Sequence, residues 1–458
     1  MKKILAVMFA IMFMLTGCSG DSENNKGYGN IDVKSERIVK EFTGTVNIFH
    51  RSSDSLLLSA EEGELFKDYN IDISTAEVRE SELTDMADKY IYYEPIGNKG
   101  FIVVEDIDYK STLKYIDIEG SEHVITEDMG PADAINISIG QRTGSVAYTS
   151  LLEGSDIWGL YVYSTETFEN KKLMNIKSDG LIEGFQYLAN WSPDENYIII
   201  NDKQIFDAFS GTQKGELKSA YSQWSPTGVK IAFVLEDESG QWLNTEDYNM
   251  FQGKKVCVYD VSKGTYEEVF EITEDEYIFG DIIWGGEDGF LAFPGIKAED
   301  TDISDWYMKL NYSSVYIVDL DGNSSKRLET NVDASDGTMI ELGNLQFSNR
   351  GNLLSFTVGN YERSSLHIVN TTSLEAKAFE NTEYLHWIDG EYYLISSEGD
   401  AMYFSMVNSI VYIDEKLQED IIYTSETKLD DFYISEDGAG ILIFELQDDA
   451  HIARYIGK

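Results

Sequence analysis

Trp191-Ser-Pro-Asp-Glu-Asn-Tyr-Ile-Ile-Ile200 and Trp224-Ser-Pro-Thr-Gly-Val-Lys-Ile-Ala-Phe-Val234 are two readings of one sentence. Each runs from an aromatic residue through a tight turn into an apolar strand. Proline presets φ for the turn, and Asp or Gly takes its awkward positions. Worn copies follow at Trp284-Gly-Gly-Glu-Asp-Gly-Phe-Leu-Ala-Phe293, Phe347-Ser-Asn-Arg-Gly-Asn-Leu-Leu-Ser-Phe356, Trp387-Ile-Asp-Gly-Glu-Tyr-Tyr-Leu-Ile-Ser396 and Ile434-Ser-Glu-Asp-Gly-Ala-Gly-Ile-Leu-Ile-Phe444. Upstream, Ile137 to Tyr148, Glu94 to Val104 and Ser52 to Leu58 are fainter.

A second element trails many copies: Lys255-Val-Cys-Val-Tyr-Asp-Val-Ser-Lys-Gly264, Ser314-Val-Tyr-Ile-Val-Asp-Leu-Asp-Gly322, Leu366-His-Ile-Val-Asn-Thr371 and Gly159-Leu-Tyr-Val-Tyr-Ser164. It reads as a third strand and turn, with a short outer strand such as Lys326-Arg-Leu after it. Four strands per repeat is the plan of a propeller blade. Aromatic and β-branched residues abound elsewhere, and helical periodicity is weak. Short helices are expected only around Ser81 to Lys89 and Thr245 to Phe251.

The Trp-Ser-Pro-Asp-Gly and Val-Tyr-Ile-Val-Asp-Leu-Asp-Gly patterns together resemble the WD40-like repeat of the TolB type, which is also found in the propellers of prolyl-oligopeptidase-like enzymes. The resemblance covers roughly residues 130 to 445 and implies an all-β propeller of four-stranded blades; counting the copies gives seven or eight blades, with eight favoured. It is nearly silent on function, because the fold hosts unrelated tasks. The last copy ends after about three strands, so an N-terminal strand such as Phe42 to Phe49 is expected to complete it. That would close the ring and remove an open sheet edge.

At the N-terminus, Lys2 and Lys3 precede an uninterrupted apolar run from Ile4 to Leu15. Twelve residues is well short of the roughly 20 that span a bilayer, and fits a cleaved signal peptide. Leu15-Thr16-Gly17-Cys18 resembles the bacterial lipobox, in which the cysteine thiol receives a diacylglyceryl group and the new amino end is usually acylated, for example with palmitate. The resemblance implies cleavage after residue 17, lipid attachment at Cys18 and an extracytoplasmic, membrane-anchored chain; the alternative is an uncleaved anchor helix. Residues 18–35 are rich in Ser, Asn and Gly and read as a lipidated tether, leaving 36–458 for the propeller.

The chain has 82 acidic and 35 basic residues, a formal charge of −47, and −49 once Lys2 and Lys3 are removed. So acidic a surface repels phosphate backbones, which sets nucleic acid aside as a partner and leaves membrane attachment to the lipid. With Cys18 modified, Cys257 stands alone in an alternating strand, where a small buried apolar role fits it. Only His50, His123, His367, His386 and His451 are present, without helical metal-ligand spacing. Trp191, Trp224, Trp284 and Trp387 recur at one repeat position, which suits packing between blades more than a sugar-stacking platform. Asp319-Leu-Asp-Gly322 invites a calcium reading, yet the same turn closes hairpins without metal.

No Gly-x-Ser-x-Gly elbow, α/β domain, sialidase-type box or phosphate-binding Gly loop is found. Carboxylate pairs are too numerous to nominate an acid and a base. No catalytic, cofactor-binding or metal-ligating residue is therefore assigned. The expected function is a noncatalytic binding or scaffold module for a protein, peptide or glycan. The alternatives are a glycan-active or quinoprotein-like propeller enzyme, and a transport-associated solute-binding lipoprotein, whose two lobes would need alternating helices.

Overall fold

The computed structural model describes most of residues 35–457; residues 1–34 and the connections 82–88, 130–136, 152–157, 177–188, 330–340 and 384–394, with some shorter ones, lie outside the described residues. Among the described residues, eight sheets have four strands and one has five, and all their pairings are antiparallel. In chain order they occupy residues 46–81, 92–126, 137–176, 189–216, 219–271, 276–329, 341–383, 395–424 and 428–457, and are called the first to the ninth. In the five-stranded sixth sheet the inner strand is broken: Glu276–Ile278 and Ile283–Gly285 both pair with Phe290–Lys297. The fold is the expected all-β propeller of four-stranded blades. Its eight four-stranded sheets match the expected blade number, and the broken-strand sheet stands in addition to them.

Burial changes across each sheet as stacking requires. The second strand of the seventh sheet, Leu353–Gly359, is buried at all seven positions, because a neighbouring sheet covers each of its faces. The outer strand Thr265–Glu271 is mostly exposed and accordingly reads Thr-Tyr-Glu-Glu-Val-Phe-Glu. Apolar clusters lie between consecutive sheets. Ile199 and Ile205 of the fourth meet Trp224, Phe233 and Cys257 of the fifth. Val234 and Val256 of the fifth meet Leu291 and Tyr316 of the sixth. Ile410 and Ile422 of the eighth meet Phe432 and Ile443 of the ninth.

The repeat tryptophans sit in these seams. Trp191 Nε1 donates to Ser138 O (3.3 Å), Trp224 Nε1 to Asn190 O (3.1 Å) and Trp284 Nε1 to Gln223 O (3.0 Å). Each therefore reaches back to the inner strand of the preceding sheet, as the packing role requires. Trp387 lies outside the described residues. The eighth sheet begins at Ile395–Ser396, where the quoted copy ends, so that copy is out of step with the strands.

The ring closes through an N-terminal strand, in a position that differs from the expected one. Ser35–Phe42, not 42–49, pairs antiparallel with Ala450–Gly457, from Ser35↔Gly457 to Phe42↔His451. It becomes the outer strand of the ninth sheet, while Val46–Arg51 already belongs to the first. Phe42 is fully buried between those two sheets, against Leu56, Tyr69 and Phe444. The helix expected at Thr245 to Phe251 is also corrected: Asn249–Gln252 is a strand paired with Gln241–Asn244. Of the other expected helix, Ser81 ends a strand and most of the remainder is outside the described residues.

Candidate functional site

Because the strands alternate in direction, the two ends of the ring differ. One end carries the first and third turns of each sheet, and it is closed by its own hydrogen bonds. In all eight sheets that have a covalent hairpin before the outer strand, a side chain at the strand end accepts from the turn backbone. Asp72, Asp117, Ser164, Asp207, Asp260, Asp319, Asn370 and Asp414 fill this place. Asp319 Oδ1 accepts from Gly322 N at 2.7 Å, so the residue raised as a calcium ligand closes its own turn.

The first turns add clamps between sheets. Glu195, Gly228, Asp288 and Gly351 occupy one repeat position with φ of 56°, 76°, 69° and 77°. Glycine meets that left-handed requirement without cost. The two residues with side chains use them across the seam. Glu195, 7% exposed, accepts from Arg142 N (2.7 Å), Thr143 N (2.6 Å) and Thr143 Oγ1 (2.6 Å) of the third sheet. Asp288 of the sixth sheet accepts from Thr227 N at 3.2 Å and from Thr227 Oγ1 in the fifth.

The opposite end carries the long connections. Here lie the strand ends joined by 82–88, 130–136, 177–188 and 330–340, together with two inserted hairpins, Gln241–Asn244 with Asn249–Gln252 and Asp302–Ile303 with Met308–Lys309. The first hairpin is tied to the sixth sheet by Gly253 N to Ile278 O (3.2 Å) and Ile278 N to Gly253 O (2.7 Å). Trp242, 48% exposed, packs on Phe251 with ring centroids 5.3 Å apart.

A carboxylate and aromatic group gathers beside it, from the fourth, fifth and sixth sheets. Asn201, Asp202 and Lys203 join strands Tyr197–Ile200 and Gln204–Asp207; Asn201 and Asp202 have φ of 51° and 58°, and Lys203 N donates to Ile200 O at 3.0 Å. Asn and Asp tolerate left-handed backbone better than most residues do. The turn directs Asp202 to the start of the fifth sheet, where its Oδ1 accepts from Ser222 Oγ at 2.7 Å. Burial raises the Asp202 carboxyl above its ordinary range; Ser222 opposes the rise, and the Asp281 carboxylate adds to it. Asp281 is exposed, in the break of the sixth sheet's inner strand, and Gly280 makes that break with φ 100°.

Phe279, from the same break, meets Tyr221 edge-on at 5.9 Å. The Tyr221 phenol is pushed up to about 12 by burial, then by Tyr312 and the two carboxylates. Lys254 lies over the Tyr277 ring at 4.7 Å. The group thus offers acceptor oxygens beside aromatic surface, a chemistry suited to peptide amides, basic side chains or sugar hydroxyls. Among the described residues, no three His, Cys, Asp or Glu side chains converge as metal ligands would.

The residues that stood out in the sequence are scattered over the ring. Cys18 is outside the described residues. Cys257 is fully buried, and burial pushes its thiol up to about 12. His367 stacks on Phe356 at 5.2 Å and His451 meets Asp430 at 3.1 Å, in separate sheets. Nothing in the sequence singles out Asp202, Tyr221 and Asp281; the one local signal is the Asn-Asp pair between two apolar runs.

No known family pattern matches the chain, and no curated protein does. Solved structures with a similar arrangement include an oligogalacturonate lyase in complex with manganese (11% identity, 81% of this chain and 98% of that one, TM-score 0.39). Another is the Dos1 propeller (10%, 91% and 95%, TM-score 0.41), and a third is TolB from Acinetobacter baumannii (11%, 87% and 78%, TM-score 0.29). What the chain shares with them is the β-propeller fold.

Proposed function

We propose that the protein is a lipid-anchored, extracytoplasmic β-propeller that binds a protein, peptide or glycan on its loop-bearing end, without chemical turnover. The observation that carries this reading is the asymmetry of the two ends. One is closed by turns and clamps that satisfy themselves; the other bears the inserted hairpins, exposed Trp242 and the Asp202–Tyr221–Asp281 group. Binding residues concentrate on loops held by a rigid scaffold. The anchor rests on Leu15 to Cys18 and their apolar leader. A two-lobed α/β solute-binding protein is not compatible with an all-β chain.

A photoreactive residue placed at Trp242, and separately at the exposed Arg350 in a first turn, tests the binding end in intact cells. Capture of one partner from position 242 and not from 350 is expected. Capture from 350 alone would move the site to the other end. The second reading, a glycan-active enzyme, draws on the raised Asp202 carboxyl beside Asp281, since perturbed carboxyls gather where acid chemistry is done. Turnover of a polysaccharide that vanishes in Asp202→Asn would establish it over the binder.

A further inference from the structure

The turn-bearing end carries an apolar patch that the propeller leaves uncovered. Phe168 is 52% exposed, Phe209 58%, Val229 45% and Tyr266 48%. They come from three consecutive sheets, the third to the fifth, and neighbouring turns connect them. Lys171 Nζ donates to Phe209 O, Tyr259 OH to Lys214 O (3.4 Å) and Val261 N to Val229 O (3.1 Å). Charge here is close to balanced, in contrast with the chain as a whole. Glu166 and Glu169 stand beside Lys171 and Lys172, Asp207 pairs with Lys214 at 3.4 Å, and Asp260 with Lys263 at 2.7 Å. An anionic surface repels such a patch far less than it repels the rest of the body.

The chain enters the ring at this same end. Ser35 pairs with Gly457 where the final strand finishes, on the side of the turns. Whatever precedes Ser35 therefore joins the ring at the end that carries the patch. A tether of the length and composition read for residues 18–34 would have a root-mean-square span of about 20–25 Å. An acyl anchor at Cys18 holds this end, and not the loop-bearing one, within reach of the bilayer.

We infer that the turn-bearing end docks on the bilayer surface, with Phe168, Phe209, Val229 and Tyr266 at the headgroup boundary and the loop-bearing end turned outward. The inference rests on the lipid-anchor reading. An acyl chain supplies attachment, and shallow burial of apolar side chains adds a second contact that sets orientation. The exposed end then meets partners arriving from the side away from the membrane.

Two single-cysteine variants test it, Phe209→Cys and Trp242→Cys, each in the lipidated full chain. Cys257 is fully buried and Cys18 carries the lipid, so the introduced thiol is the one that takes an environment-sensitive dye. The probe is a vesicle of phosphatidylcholine and phosphatidylglycerol with nitroxide-labelled acyl chains. The dye at 209 is expected to shift to the blue and lose most of its emission, and the dye at 242 to change little. Equal responses, no response at either site or a response at 242 alone, in protein that floats with the vesicles, would overturn the docking while leaving the anchor intact. Protein that fails to float refutes the anchor and the docking together. Adding Phe168→Ser and Val229→Ser to the 209 label should restore emission without loss of flotation; undiminished quenching would remove the patch from the contact.

Discussion

At the residue scale, the repeat tryptophans act by tying each sheet to the one before it. Trp224 is 3% exposed and makes both an apolar contact and a hydrogen bond to Asn190 O. Trp224→Ala should cost about 3–5 kcal/mol, the range for truncating a buried large side chain. Trp224→Phe should cost nearer 1 kcal/mol, the net value of the lost hydrogen bond. Chemical denaturation separates the two; a melting curve unmoved by the alanine change would mean an exposed platform. Glu276 is 2% exposed and accepts from Arg327 Nη2 (2.5 Å), Tyr316 OH (2.5 Å), Ser313 Oγ (2.7 Å) and Ser314 Oγ (3.0 Å). Burial disfavours its charge, but Arg327 and the hydroxyl donors outweigh it and hold the carboxyl down to about 2, against 4.5 ordinarily. A depressed carboxyl stabilises the fold above its unfolded value and loses that contribution as pH falls. Thermal stability should therefore drop between pH 4.5 and about 2, and Glu276→Gln, less stable at neutral pH, should show a shallower drop in that window.

At the scale of the element, the first turn does two jobs with one position. Left-handed backbone at Glu195 and Asp288 would be relieved by glycine, and yet a carboxylate stands there and bridges to the preceding sheet. Glu195→Gly removes the strain and leaves the Arg142 and Thr143 amides without their acceptor. A hydrogen bond to a charged group is worth about 1.5–3 kcal/mol, less where the donor is part-exposed as here, and two backbone bonds are lost, so the substitution should destabilise despite the easier backbone. Hydrogen exchange at Arg142 and Thr143 checks it: both amides should lose protection, and unchanged protection would show the clamp to be idle. The outer hairpins follow a simpler rule, with a side chain at each strand end capping its own turn. This regularity was legible in Asp319-Leu-Asp-Gly322 and Asp260-Val-Ser-Lys-Gly264, since the contact spans only a few residues. The clamp was not, because Glu195 and Thr143 lie 52 positions apart.

At the scale of the molecule, the ring depends on a strand from the far end of the chain. Ser35–Phe42 covers the edge of Ala450–Gly457, and Arg454 ties it to Glu36 (3.0 Å) while also holding buried Glu445 (3.0 Å). Deleting residues 35–42 would leave a long apolar strand with unpaired backbone groups and empty the Phe42 site. Loss of cooperative unfolding, with aggregation, is expected; deleting 20–30 should leave the melt unchanged. Equal melting temperatures for the two soluble forms would sink the closure. The strand was anticipated in kind and misplaced in position, because pairing register is set by the partner it meets across 400 residues and not by its own alternation.

Sequence by itself determined the strand content, the turn chemistry and the packing role of Trp191, Trp224 and Trp284, since each follows from a local pattern repeated many times. It also showed that the last repeat stops after about three strands, which called for a closing strand from the N-terminal side. Tertiary structure alone decided that the sixth sheet's inner strand is broken, because Gly280 alone does not reveal whether a strand resumes after it. It also decided that Asp202, Tyr221 and Asp281 come near enough to influence one another's charge, although 79 positions separate the two carboxylates. The ring brings together the ends of strands, and which ends share a face depends on antiparallel pairing summed over every sheet. That sum, invisible in any single stretch, sets the loop-bearing end apart from the end where the chain enters.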